Sequence, residues 1–295
     1  MREGKHKIET NGFSKDLLKE EKIWITGGSS GLGLSMARGF LEHGAEVLIC
    51  GRKEDKLIKA VETLKAEGLD QVHHFACDVR NYDEIEACMH FGLESMGGIT
   101  GLVNNAAGNF ISPTERLSSN AFQTIVNIVL MGTANATMAL GKHWLKNQQS
   151  GNILNIVTTY AETGSAFVVP SASAKAGVLA MTRSLASEWG AKNIRINAIA
   201  PGPFPTPGAW ERLFPPSVQG LMDPKSRIPL QRFGQHEELQ NLSVFLMSAL
   251  SPYIHGECIT IDGGEWLKGA GEFNDLLKIP EEMWDKLEAE TRKAK

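Results

Sequence analysis

The sequence predicts a doubly wound α/β domain, a parallel sheet with helices on both faces, and three observations carry that prediction. Seven short apolar runs recur along the chain with helix-length segments between most of them. The runs are apolar throughout instead of alternating with polar residues, as strands buried on both faces require. A glycine-rich segment stands where the first run meets the first helix-length stretch. With 295 residues and 42% apolar content, the chain can bury a sizeable core and is near the size at which one core stops growing. One large domain is therefore expected.

The expected strands are Lys22–Thr26, Glu46–Cys50, Val72–Ala76, Gly101–Asn104, Ile153–Val157, Ile194–Ala200 and Glu257–Ile261. Helices are expected over 31–43, 53–67, 81–96, 118–147, 172–190 and 235–249. The stretch from 118 reads as one helix or two, since only Gly132 and Gly141 interrupt it. Residues 203–233 are rich in proline, at 203, 205, 207, 215, 216, 224 and 229. A connection of that length in a compact domain is a lid, a binding loop or a disordered segment. The spacing predicts a further helix over 280–292, whose Met283, Trp284 and Leu287, with Ala294, could dock on the body or on another subunit. The domain plan is a tail over 1–20 with one short helical piece, a catalytic body over 21–265 that includes the 203–233 loop, and an extension over 266–295.

Thirty Lys plus Arg against thirty-four Asp plus Glu give a formal charge of -4, so no global positive field argues for nucleic acid. Cys50, Cys77, Cys88 and Cys258 show no paired or metal-ligand spacing, and they read as ordinary half-buried thiols with no metal site. No run of eighteen apolar residues is present, so no membrane span is expected, and the polar first twenty residues do not read as a secretory signal. The default compartment is the cytoplasm.

Thr26-Gly27-Gly28-Ser29-Ser30-Gly31-Leu32-Gly33 follows the first strand and leads into a helix. Glycines let the backbone turn tightly and approach a pyrophosphate, and a helix N-terminus offers free N–H groups and partial positive charge. The second strand ends at Arg52 and Lys53. Where an acid would bind the ribose hydroxyls of NAD, an arginine pairs with a 2′-phosphate, so these cations favour NADPH. Asp78 and Val79 end the third strand, where the acid could accept from an adenine amino group and the valine could pack on the base; Asp78 as a plain helix cap is the competing reading.

With Asn104-Asn105-Ala106-Ala107-Gly108, Pro201-Gly202 and Lys175 added, the chain resembles the short-chain dehydrogenase/reductase superfamily over 21–265. The resemblance implies a Rossmann-like sheet of seven parallel strands, usually in a homotetramer built partly by helix bundling. It places Asn105, Ala106, Pro201 and Gly202 at the cofactor. Most members carry Tyr-x-x-x-Lys, but this chain reads Ser171-Ala172-Ser173-Ala174-Lys175. Either the acid is lost or it has moved, and Tyr160 is the available candidate.

That departure, with Asn109-Phe110, Tyr160-Ala161-Glu162-Thr163-Gly164-Ser165 and Asp262-Gly263-Gly264, resembles the 2,4-dienoyl-CoA reductase branch, most of all its mitochondrial type. The mitochondrial matrix is thus an alternative compartment if a transit peptide has been removed. The resemblance implies catalytic roles for Tyr160, Lys175, Asn109, Ser171 and Asn127. Asn109 and Tyr160 would hold the thioester carbonyl oxygen, Lys175 would bond the nicotinamide ribose, Ser171 would orient its neighbours and Asn127 would prop the lysine. Phe110, Phe167, Trp210, Leu213 and Phe214 could line an acyl channel, and Arg212, Lys225, Arg227 and Arg232 could meet the phosphates of the acyl-CoA. The reaction implied is reduction of a 2,4-dienoyl-CoA to a trans-3-enoyl-CoA in fatty-acid β-oxidation. The alternatives are a carbonyl or 3-oxoacyl thioester reductase of the same fold and a non-catalytic NADP-binding protein.

Overall fold

Each of the seven apolar runs forms a strand, and every adjacent pair is parallel. A computed structural model of the chain describes residues 12–206 and 223–293. The strands are β1 (Lys22–Thr26), β2 (Glu46–Gly51), β3 (Val72–Ala76), β4 (Gly101–Asn104), β5 (Gly151–Ile156), β6 (Ile194–Pro201) and β7 (Cys258–Ile261), in the order β3-β2-β1-β4-β5-β6-β7. The order reverses between β1 and β4. In such sheets the crevice at the carboxyl ends of the two strands flanking the reversal is where ligands bind.

Period-two alternation divides the side chains of β1 between two cores. Ile23 and Ile25 enter one cluster with α1 (Gly31–Glu42), α2 (Glu54–Ala66) and the helix His236–Met247. Trp24 enters the other, with α3 (Tyr82–Ser95), Trp144 and Trp189. Both faces are thus covered, which is why the strands carry no polar alternation.

The segment expected as one helix or two runs without a break from α4 (Ser119–Val126) through a π turn (Asn127–Met131) into α5 (Gly132–Lys146). The Gly132 N–H donates to the Asn127 carbonyl, widening the helix by one residue. Gly132 is required there because an added Cβ would stand 2.6 Å from Cγ2 of Val79. The stretch Ser119–Lys146 is long and apolar enough to cross a membrane, at a mean hydropathy of 1.4, yet 56% of that window is buried inside the protein. It serves here as a core helix.

A short helix, α6 (Tyr160–Thr163), precedes α7 (Val169–Trp189). Helix α7 begins earlier than the periodicity suggests because Pro170 occupies its first turn, where a fixed φ and a missing N–H cost nothing. Helices α8 (His236–Met247), α9 (Glu265–Ala270) and α10 (Glu281–Lys293) complete the described chain.

Three expectations are corrected. The stretch before residue 21 is not a loose tail throughout: Leu18 is fully buried, its N–H donates to the His43 carbonyl at 2.9 Å, and Phe13 meets the His43 ring edge-on. Met283, Trp284 and Leu287 remain 41%, 45% and 36% exposed, so of the two expected surfaces the body is not the one they meet and another subunit is the one left; Ala294 lies outside the described residues. The description of half-buried, unrelated thiols suits Cys258 alone, because Cys50, Cys77 and Cys88 are buried and their sulfurs lie within 4.8 Å of one another.

Leu18 supplies a test of where the folded body starts. Leu18→Ala should cost about 2–5 kcal/mol in urea unfolding, the range for a leucine deleted from a packed core. An unchanged midpoint would show that residues 12–20 are dispensable to the fold.

Candidate active site

At the switch between β1 and β4, the glycine-rich turn is fastened to the segment after β4. The Thr26 hydroxyl accepts the N–H groups of Asn105 and Ala106, each at 3.1 Å. The Asn105 amide in return donates to the carbonyls of Thr26, at 3.1 Å, and Gly27, at 3.0 Å. Gly27 has a φ of +68°, a conformation glycine reaches without strain. At Gly33 a Cβ would stand 2.4 Å from both the Asn105 amide nitrogen and the Gly27 carbonyl oxygen. Thr26 is buried and Asn105 is committed to these carbonyls, so their side chains shape the cradle from behind.

The front of the cradle suits a dinucleotide. Ser30 caps α1 without a side-chain hydrogen bond, so the first N–H groups of the helix are not closed off by its own cap. Gly31 faces the buried Thr206, whose Cγ2 would lie 3.6 Å from an added Cβ. Thr206 was missed in the sequence; its signal is the position four residues after Gly202, whose N–H is fixed on the Ile261 carbonyl at 3.0 Å. Ser29 lies near the end of β2, with Oγ 3.7 Å from a Cβ built on Gly51, and next come Arg52 and Lys53, both exposed.

Val79 is buried against α5, and its carbonyl accepts the Asn135 amide at 2.9 Å. Asp78 is already paired, since the Arg80 guanidinium grips both its carboxylate oxygens. These hydrogen bonds hold the Asp78 carboxyl below its ordinary pKa. Any hydrogen bond it makes to an adenine would be shared with Arg80, which the sequence reading did not single out.

On the other side of the switch, three of the expected catalytic side chains meet. The Tyr160 hydroxyl accepts from the Asn109 amide at 3.3 Å and shares a hydrogen bond with the Ser171 hydroxyl at 3.2 Å. Asn109 Oδ1 accepts the N–H of Phe110 at 2.9 Å, which fixes the amide with its NH2 group turned toward the tyrosine. Ser171 and Lys175 are one turn apart on α7, so their side chains rise on one face. Lys175 is buried and its ammonium donates to the Ile156 carbonyl. Burial pushes its pKa down to about 8.

Asn127 opens the π turn, is exposed, and has no side-chain hydrogen bond among the described residues. The turn itself packs against α7, where a Cβ on Gly177 would stand 2.9 Å from Leu130. Asn127 is therefore set on the helix that abuts the lysine's helix, although no bond joins the two side chains.

Of the residues expected on the substrate side, Phe110 is partly buried and packs against the cluster that includes Ile125, Val129 and Val178. Phe167 is 55% exposed, at a left-handed φ of +65°, and its carbonyl is held by the Ser112 N–H at 2.9 Å. Trp210, Arg212, Leu213 and Phe214 lie outside the described residues. Two of the basic candidates are partnered, Arg232 with Glu238 at 2.6 Å and Arg227 with Glu265 at 3.6 Å. Lys225 lies over the Phe233 ring, 5.3 Å from its centroid.

A family model described as Enoyl-(Acyl carrier protein) reductase matches residues 27–265. The chain is 43% identical over 252 residues to the "Probable 2,4-dienoyl-CoA reductase [(2E)-enoyl-CoA-producing]" of Bacillus subtilis, covering 85% of this chain and 98% of that protein. It is 38% identical over 270 residues to the "Peroxisomal 2,4-dienoyl-CoA reductase [(3E)-enoyl-CoA-producing]" of Danio rerio, covering 92% and 89%. Among solved structures, a short chain dehydrogenase from Bacillus anthracis is 44% identical with a TM-score of 0.76, over 84% of this chain and 97% of that one. A gluconate 5-dehydrogenase from Burkholderia cenocepacia, solved with NADP and tartrate, is 27% identical with a TM-score of 0.77, over 85% and 98%.

The cradle makes its own prediction. Gly33→Ala forces a methyl group against Gly27 and Asn105, and should cost about 1–3 kcal/mol in stability by overpacking. It should also abolish saturable NADPH binding followed by fluorescence; binding at wild-type affinity would mean that this turn does not hold the dinucleotide.

Proposed function

The chain belongs to the short-chain dehydrogenase/reductase family, and from that premise we propose that it reduces 2,4-dienoyl-CoA thioesters with NADPH. The observation that carries the proposal is the position of the only available acid. No tyrosine stands four residues before Lys175, while the Tyr160 hydroxyl sits between Asn109 and Ser171 on a separate short helix.

The chemistry favours that separation. Reducing a ketone calls for a proton donor beside the carbon that takes the hydride, because alkoxide forms there. In a dienoyl thioester the charge moves away along the conjugated chain to the thioester oxygen. Donors are needed at the oxygen, remote from the hydride-accepting carbon. Tyr160 and Asn109 supply two of them, and Asn109 is oriented as a donor because its oxygen is already committed to Phe110. If Ser171 donates to the tyrosine oxygen, the phenolic proton is free for the substrate. Lys175, charged and withdrawn from water, adds positive potential that the surrounding protein screens only weakly. Gly27, Ser29, Gly31, Leu32 and Arg52 would hold the dinucleotide, which when bound would supply hydride chemistry at C5.

The residual dienolate can take its proton at C2, giving a (3E)-enoyl-CoA, or at C4, giving a (2E)-enoyl-CoA. The products that the relatives are named for divide along this line. We favour C2, because the two donors of the cluster gather at the thioester oxygen, which is attached to the carbon next to C2. A run in D2O distinguishes them, since NMR of the product would show deuterium at C2 for the (3E) route and at C4 for the other.

Support for NADPH over NADH comes from Arg52 and Lys53 at the end of β2, together with a relative of known structure solved with NADP. A 3-oxoacyl thioester reductase is disfavoured by serine at position 171. A non-catalytic role is disfavoured by a polar cluster that retains its tyrosine, serine and lysine.

The deciding assay follows cofactor absorbance with trans,trans-2,4-hexadienoyl-CoA, run beside acetoacetyl-CoA and an NADH control. Turnover should be confined to the dienoyl thioester and prefer NADPH, and Tyr160→Phe should lower kcat by about 10²–10³, as when an oxyanion donor is removed. Reduction of acetoacetyl-CoA at a comparable rate would overturn the assignment.

Lys175 sets the pH dependence. Its folded pKa of about 8 lies below the ordinary 10.5, so the charged form dominates at neutral pH and is lost as pH rises through 8. The rate at low cofactor concentration should therefore fall on an alkaline limb near pH 8, absent in Lys175→Met. Stability runs the opposite way: between pH 8 and 10.5 the unfolded chain holds more protons, so this residue's burial penalty lifts as pH rises.

A further inference from the structure

The sheet carries a second cluster of chemically able side chains that the reaction does not use. Cys50 is the penultimate residue of β2, Cys77 follows β3 and Cys88 lies on α3, and they are 0%, 2% and 0% exposed. All three sulfurs lie within 4.8 Å of one another, among Trp24, Leu48, Ile85 and Met89. A thiol acting only as a small apolar filler has no reason to converge with two others from separate elements. Three thiolates on one ion, at metal–sulfur distances of about 2.3 Å, stand about 4 Å apart, so the observed span needs only a small adjustment.

A hydrogen-bond donor also reaches the cluster. Trp24 Nε1–H donates to Cys50 Sγ at 3.3 Å. Such outer-sphere hydrogen bonds orient and stabilise ligating groups.

The ligand set points to the ion. Among the described residues no imidazole or carboxylate joins the three sulfurs. Structural zinc sites are almost always four-coordinate, whereas an all-sulfur set of three, sealed in an apolar core, matches a soft ion content with three donors. We propose that Cys50, Cys77 and Cys88 form a three-coordinate site for copper(I). Binding is a proton exchange without redox change: each thiol that coordinates releases one proton to solvent, three when all bind, and the metal keeps its oxidation state.

The site lies directly beneath the cofactor cradle. The Cys50 carbonyl accepts the Gly27 and Gly28 N–H groups at 2.9 and 3.2 Å, and Cys77 immediately precedes Asp78 and Val79. An ion there would clamp the end of β2 to the end of β3 and to α3, the elements that floor the expected adenosine end.

The test uses the full chain, reduced and oxygen-free, brought to equilibrium with Cu(I) held by bathocuproine disulfonate, both as folded protein and after refolding in the same mixture. One copper per chain should be retained, with X-ray absorption showing three sulfur neighbours and no nitrogen or oxygen. Cys88→Ala and Cys77→Ser should each weaken retention by about tenfold or more. Thermal unfolding and NADPH binding confirm that these variants are folded, and Cys258→Ser should bind as wild type. Absence of stoichiometric copper under both loading conditions would overturn the proposal. So would equal retention by the folded Cys88→Ala chain, loss of binding in Cys258→Ser, or zinc retained as tightly as copper in a four-coordinate site.

Discussion

The close approach of β1 to β4 at the point where the sheet order reverses is the constraint on which the rest depends. Two consecutive asparagines end and follow β4, and the alternation of a strand sends their side chains to different partners. Asn105 ties the cofactor turn through the carbonyls of Thr26 and Gly27. Asn104 donates to Thr137 of α5 at 3.0 Å and to Asn155 of β5 at 2.9 Å, and Asn155 donates to Thr182 of α7 at 2.8 Å. The cradle and the helix bearing Ser171 and Lys175 are thereby anchored on adjacent residues. Each bond contributes only about 1 kcal/mol net, but a buried partner left alone costs more than the bond gained. The network is therefore stronger as a positioning device than as a source of stability. Asn104 Oδ1 is the one buried side-chain polar atom without a protein partner among the described residues, at the centre of this junction.

The π turn is the second consequence of packing that reaches the site. Helices α4 and α5 are coaxial enough to be one element, yet Val79 allows no side chain at Gly132. The extra residue is absorbed between Asn127 and Met131, so the helix changes phase where it passes α7. One end of the turn carries the polar residue expected near the lysine, and the other abuts the expected adenine wall. A helix without that turn would rotate Asn127 relative to Gly132 by roughly one residue's worth of arc.

Most of the fold was legible in the sequence because a sheet buried on both faces leaves continuous apolar runs, and those runs coincide with the strands to within two residues at each end. Tyr160, Asn109 and Ser171 were legible as a group only through family resemblance; nothing in their spacing brings them together. The π turn was not legible, since no residue in Asn127–Met131 marks the widening of the helix. Thr206 was hidden inside a proline-rich stretch that reads simply as loop. The burial of Cys50, Cys77 and Cys88 was misread because three separate elements bring them together, and spacing along the chain does not report that. The fraying expected before residue 21 failed at Leu18, a single apolar residue too isolated to produce a periodic signal.

Splitting the tyrosine from the lysine changes what holds the site rigid. When both stand on one helix turn, helix geometry alone fixes their separation. In this chain Tyr160 rides on α6, four residues long, which cannot hold itself straight. The Glu162–Arg183 ion pair joins α6 to α7 at 2.6 Å, but it is exposed and worth little. The better anchor is Ala161, buried with Val157, Ala174 and Val178 in the cluster that also seats Phe110. The tyrosine's position is thus set by apolar packing beneath the reacting groups, and Phe110, the wall of the expected acyl channel, belongs to the same cluster. Under the proposed function, an acyl chain against Phe110 would bear on the element that carries Tyr160, and recognition of that chain would be coupled to placement of the oxygen donor.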